Sequence, residues 1–303
     1  MENCLLRVIK FGMGAFFSMH VLVASSQTST GFGQQAINAA NRQIAQLLVK
    51  FRPHFPADHR DLLSTDNVRV VVAADFNAFA DFEERRIKIP AQLVIETLLQ
   101  GHALGAVRRD SSLRRHWEPW MRYLTERTSA AQARFEAGRT FVDDSPVQEF
   151  WAFAGLSQPP TMDSRDAVVQ EQLMHDALAL VVAHELGHLA LSHKPYTAIT
   201  QSESHRQEGD ADRFAANLLR KSAIDVLPGL SMIFARFALL EEISGRPDIE
   251  RITHRRAICR FYRIGRSELE HLRRNPDTKI QSDVDIRAIR NAVTALEDEC
   301  TVR

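Results

Sequence analysis

The spacing of apolar residues along the chain divides it into a helical start, a short strand region, an irregular middle and a long helical remainder. In GQQAINAANRQIAQLLVKFRPHF, Ile37, Ile44, Leu47 and Leu48 recur at helical intervals and Pro53 and Pro56 end the run, which predicts a helix near 34–50. VRVVVAADFNAFA is apolar and rich in β-branched residues, and RRIKIP follows after a charged turn, so the two stretches predict adjacent strands joined as a hairpin. AQLVIETLLQGHAL returns to helical periodicity. Residues 106–165 are less regular, hold Trp117, Trp120 and Trp151, and carry Pro146, Pro159 and Pro160. They predict an inserted subdomain or lid, with the aromatics serving either core packing or a groove. From Asp166 onward the pattern is helical, near 166–193, 203–222, 228–244, 248–271 and 281–299. The fold class expected is therefore α+β, mostly helical, with a small edge sheet and a helical or irregular insertion.

Composition narrows the classes. Of 303 residues, 45% are hydrophobic and 25% charged, and 38 basic side chains balance 38 acidic ones. That is a globular composition with no net charge to attract nucleic acid, and no phosphate-binding glycine loop or paired Cys-x-x-Cys appears. The three cysteines, Cys4, Cys259 and Cys300, are too few for a disulfide framework, although Cys259 and Cys300 could pair. At the N-terminus, Arg7 and Lys10 precede an apolar run from Phe11 to Ala24 that ends in small residues. This order fits an export signal over residues 1–26, an interfacial membrane anchor, or an ordinary packed helix.

The stretch ALALVVAHELGHLALSHKP, residues 177–195, places two imidazoles and a carboxylate in an apolar helix. Residues four apart stack on one helix face, so His184 and His188 can offer two nitrogens to one Zn²⁺ ion, with Glu185 beside them as general base. The apolar neighbours Ala183, Leu186 and Leu189 make a lone charge at Glu185 costly, and Gly187 suits a close helix crossing. His193, off the two-histidine face and near the helix end, reads as a surface or capping residue; His175 reads as equally bland. A third ligand is needed, and SESHRQEGDADRFAANLLRK offers Glu208, with Asp212 one turn on to orient a ligating histidine. Glu203 and His205 are the rival third ligands.

HELGH followed by EGDAD resembles the zinc metallopeptidases whose third ligand is a glutamate, the gluzincins. FNAFA with RIKIP, and THRRAICR at 253–260, are similar to the edge-strand and Thr-His...Arg segments of HtpX-type and CAAX-prenyl-endopeptidase-like members. The long interval between the strands and the histidines resembles the phage-exclusion Lit-type peptidases, and ADRFAANLL resembles ImmA-type regulatory peptidases. The resemblance implies a zincin-like core built from residues 27–105 and 166–303, with 106–165 inserted. It also implies zinc held by His184, His188 and Glu208, and Glu185 as catalytic base, with His254 and Arg260 as candidates to stabilise the oxyanion.

The activity expected is zinc-dependent endoproteolysis of a protein or peptide substrate, with no nucleic-acid partner. Two alternatives stay open: a zinc-stabilised binding or chaperone-like module without turnover, and an intracellular regulatory or phage-defence effector protease. Localisation follows the same fork, exported or membrane-associated through residues 1–26, or cytoplasmic.

Overall fold

The computed structural model describes residues 29–72, 77–136, 148–158, 164–243, 256–276 and 286–301. The segment 1–26 therefore lies outside the described residues, as do His254 and the prolines at 146, 159 and 160. Within them the chain is mostly helical with one small sheet. α1 spans Ser29–Phe51, β1 Val68–Val71, β2 Phe79–Asp81, β3 Arg86–Pro90, α2 Ala91–Arg109, α3 Arg114–Glu136 and the short α4 Phe150–Phe153. Then follow α5 (Ser164–Ala190), α6 (Gln201–Lys221), α7 (Val226–Ile243), α8 (Ala257–Arg274), α9 (Ile286–Ala295) and α10 (Glu297–Thr301).

The sheet corrects the expected pairing. Its order is β1-β3-β2, with β1 parallel to β3 and β2 antiparallel to it. The hairpin is thus β2–β3, and the run that read as one strand supplies both edges of the sheet. The Asp81 carboxylate makes the turn by accepting from the backbone N–H groups of Glu83 and Glu84 at 3.2 and 3.0 Å, and Arg85 takes a left-handed φ of 51°. β3 alternates, burying Ile87 and Ile89 completely against the helices while Lys88 reaches Asp81 at 2.7 Å on the outer face.

α5 is the central element, packed on α6, α2, α7 and α1. Its residues from Asp176 to Leu189 are buried except His184, which is partly so, and an all-round apolar helix of this kind belongs in a core. Two glycines permit close crossings. A β-carbon at Gly187 would stand 3.2 Å from Ala211 Cα and 3.1 Å from the Phe214 ring on α6; one at Gly229 would stand 2.3 Å from the Asp176 carbonyl oxygen.

The middle of the chain is more regular than its composition suggested. α3 runs for 23 residues with Pro119 inside it, and its Trp117 and Trp120 pack with Phe150 of α4, Leu99 and Ala103 of α2 and Leu239 of α7 in a second hydrophobic cluster. Trp120 donates its indole N–H to the Gln148 carbonyl at 3.0 Å. The tryptophans of α3 are core residues, and they do not line the cleft described below.

A buried ion pair stitches the two clusters together. Arg236 of α7 and Glu96 of α2 are 0% and 1% exposed, and Arg236 Nε donates to Glu96 Oε2 at 2.6 Å. Its other nitrogens donate to Thr128 Oγ1 at 2.8 Å, to the Leu124 carbonyl at 3.1 Å and to Thr125. At the C-terminal end, Cys259 of α8 and Cys300 of α10 form a disulfide with their Cα atoms 5.2 Å apart. No described helix is long and apolar enough to cross a membrane.

Candidate metal centre

α5 and α6 cross where the sequence placed its acidic and imidazole residues. His184, Glu185 and His188 stand on α5, and Glu208 and Asp212 on α6, with the small residues Gly187 and Ala211 at the contact between them. α6 starts on a capping side chain, Thr200, whose hydroxyl accepts from the Glu203 N–H. Its buried residues include Gln207, Glu208, Ala211, Asp212, Ala215 and Leu219. This spacing turns Glu208 and Asp212 inward on one face while Arg206 and Arg213 stay in solvent, paired with Asp210.

Among the described residues, His184, His188 and Glu208 offer ligand atoms that all lie within 4.8 Å of one another. The separations are tighter than that limit. His184 Nε2 is 3.1 Å from His188 Nε2 and 3.4 Å from Glu208 Oε2, and His188 Nε2 is 3.3 Å from Glu208 Oε1. A tetrahedral ion bound at about 2.0–2.1 Å separates its ligand atoms by about 3.3 Å, close to the spacing of the two Nε2 atoms and of each from one of the two Glu208 oxygens. The donor set fits a metal ion of the zinc type: two imidazoles and one carboxylate, with a cleft open on the fourth side.

The partners behind these three groups fix their orientation. His184 Nδ1 is 3.0 Å from Asp212 Oδ1, which aims Nε2 at the cluster. Asp212 in turn receives Arg260 of α8 through Nε at 3.0 Å and Nη2 at 2.7 Å, and Arg260 Nη1 reaches Glu208 Oε2 at 3.2 Å. The Arg260 guanidinium also lies 5.0 Å from the centre of the Phe234 ring. Arg260 is therefore at the site but engaged with its carboxylates, and its placement ties α8 to α6. Glu203, one rival third ligand, lies in the first turn of α6, half-buried and 3.8 Å from Arg206, outside the cluster. His205, the other, is not part of the cluster.

The charges respond to this enclosure. Burial pulls the His184 imidazole down, but Asp212 and Glu208 outweigh it and hold it up at about 10 in the metal-free chain. Burial raises the Asp212 carboxyl while Arg260 and His184 bring it down to about 2. Glu185 is pushed up by burial, more than the two histidines pull it down. A carboxyl raised in this way is a better proton acceptor than a solvated one.

The sequence missed one contact. His193 lies just beyond α5 and does cap it, but its Nδ1 also stands 3.0 Å from Nδ1 of His188, with ring centres 4.9 Å apart. Burial, then the neighbouring His188, push His193 down to about 4. Phe82, next to β2, meets the other side of His188 edge-on at 6.4 Å.

All of these ligands line one cleft of about 610 Å³. Its walls are the β2 edge (Asn77 to Ala80), the segment after α5 (Lys194 to Tyr196), and Ile233, Phe234 and Phe237 of α7, with Glu185 on its floor. Phe79 and Tyr196 remain exposed at its rim.

The fold and site define a protein with an open cleft lined by His184, His188 and Glu208, a group of side chains that could hold a metal ion. Residues 116–266, about half of the chain, match the model of the family Peptidase U49, and the match supports a peptidase acting on protein or peptide. Searches of curated proteins and of solved structures gave no match.

Proposed function

We infer that this peptidase is a zinc-dependent metalloendopeptidase, and the observation that carries the reading is the convergence of His184 Nε2, His188 Nε2 and Glu208 within 3.1–3.4 Å on the floor of an open cleft. His184, His188 and Glu208 would hold the ion. When bound, such an ion polarises a carbonyl and lowers the pKa of water toward neutrality. Glu185 accepts the proton of the attacking water and returns it to the leaving amine, which its raised affinity for a proton supports. Asp212 keeps His184 turned toward the ion. The edge of β2 is on the cleft wall, so an extended substrate segment can add to it through backbone hydrogen bonds, with apolar side chains received by Phe234 and Phe237. The insertion 106–165 acts at a distance in this reading, by bracing α7 through the second cluster. The disulfide between Cys259 and Cys300 supports an oxidising compartment, which is compatible with export through residues 1–26.

The test is Glu185→Gln, which preserves shape and removes the base. Zinc stoichiometry should stay at the wild-type level while cleavage of a casein or proteome-derived peptide library falls by about two to four orders of magnitude. Undiminished cleavage by Glu185→Gln would remove Glu185 from the mechanism.

A further inference from the structure

The end of α5 is built differently from an ordinary helix stop, and the difference falls on a ligand. Ser192 holds a left-handed φ of 53°. The His193 N–H donates to the His188 carbonyl at 3.0 Å and the Ser192 N–H to the Leu189 carbonyl at 3.2 Å. These two bonds define a Schellman motif in which His193 occupies the second position past the cap and His188 the third residue from the end of the helix. Such motifs usually join those two positions by an apolar contact. Here the contact is between two imidazoles, Nδ1 to Nδ1 at 3.0 Å.

A hydrogen bond between two ring nitrogens needs one proton, and the geometry says whose it is. If His188 presents Nε2 to the ion, as the metal reading on which this inference rests requires, Nε2 carries a lone pair and the ring proton sits on Nδ1. His188 Nδ1–H then donates, and His193 Nδ1 accepts with its own proton on Nε2. Ligating histidines as a rule donate that second N–H to a carboxylate, carbonyl or water, and Asp212 serves His184 in this way. We propose that His193 is the corresponding positioning residue for His188, a neutral acceptor delivered by the helix-ending turn, which locks the ring of the second ligand in its metal-binding tautomer and orientation.

The arrangement separates two functions that a single substitution can split. His193→Leu restores the apolar contact that the motif ordinarily makes, so it should preserve the helix end while abolishing the hydrogen bond. His193→Asn keeps an acceptor at shorter reach. The experiment is zinc affinity of the full chain, by competition with a chromophoric chelator at fixed pH, together with the thermal midpoint of the metal-free protein. Expected is a loss of about 10- to 100-fold in affinity for His193→Leu with the metal-free midpoint unchanged, and partial recovery in His193→Asn. In the zinc-loaded wild type, proton NMR should show a slowly exchanging His188 Nδ1–H that His193→Leu lacks. If His193→Leu binds zinc as tightly as wild type and retains that resonance, the positioning role is overturned while the metal site stands. If His193→Leu loses affinity only in proportion to a lowered midpoint, the residue is merely structural and the proposal fails. If the wild type itself takes up no zinc, the metal reading fails first and the positioning role goes with it.

Discussion

Replacing Glu96 with alanine strands a guanidinium in the interior, and the structure says how expensive that is. Arg236 is fully buried, and its Nε gives Glu96 a charge-assisted hydrogen bond of 2.6 Å. Without that carboxylate it still donates to Thr128 Oγ1 at 2.8 Å, the Leu124 carbonyl at 3.1 Å and the Thr125 hydroxyl, all of them neutral. Neutral dipoles solvate a cation but do not cancel its charge, so Glu96→Ala should cost about 3–5 kcal/mol. Thr128→Val removes two hydrogen bonds to charged groups, one donated to Glu96 Oε1 and one accepted from Arg236 Nη2, but leaves the two charges facing each other, so it should cost less than Glu96→Ala. The pair Glu96→Leu with Arg236→Met removes both charges together and should be milder than Glu96→Ala alone. The assay is equilibrium urea unfolding with the disulfide intact, followed by fluorescence and far-UV circular dichroism so that a shared transition is verified. A Glu96→Ala cost under about 0.5 kcal/mol, or a double variant as unstable as the sum of its single changes, would refute the claim that a stranded charge sets the energy. The same pair positions the site, because α7 carries Arg236 toward α2 and α3 and turns Phe234 and Phe237 into the cleft.

Two further outcomes follow from contacts at the site's edges. Gly187→Ala puts a methyl 3.2 Å from the Ala211 backbone, where only a helix shift gives room; a loss of about 1–3 kcal/mol and weaker zinc binding are expected, and a neutral thermal melt would show that α5 and α6 separate easily. Cys300→Ser opens a loop spanning 41 positions, which by chain entropy costs about 4 kcal/mol; the thermal midpoint with and without reductant reads this, and a wild type insensitive to reductant would contradict it.

What could be read from the sequence depended on how local the signal was. His184, Glu185 and His188 lie on one turn of one helix, and Glu208 and Asp212 on one turn of another, so helical periodicity alone placed each set on its own face. Their meeting needed only one helix crossing, which Gly187 marked. The strands were recognisable by composition, but pairing is a long-range property: a break within VVAADFNAFA lets one apolar run supply both edges of the sheet. Residues 106–165 read as irregular because α3 is polar on most positions and contains Pro119, while its burial is carried by a few aromatics that meet α2 and α7. Arg236 stood visible inside GLSMIFARFALLEE as a charge in an apolar helix, and that was the available clue to a buried partner. His193 was hidden because a Schellman turn brings together residues five apart, a spacing that places them on different faces of a continuing helix.

The central claim is the ligand set, and zinc content under a common chelator challenge tests it most directly. Wild type should retain one zinc per chain, and Glu203→Ala should match it, since Glu203 faces Arg206 and is not part of the cluster. Asp212→Ala, which loses the partner of His184 Nδ1, should bind about 10- to 100-fold more weakly. Glu208→Ala leaves two histidines on one helix and should emerge empty. A Glu208→Ala protein that keeps its full zinc, or a Glu203→Ala protein that loses it, would contradict the account.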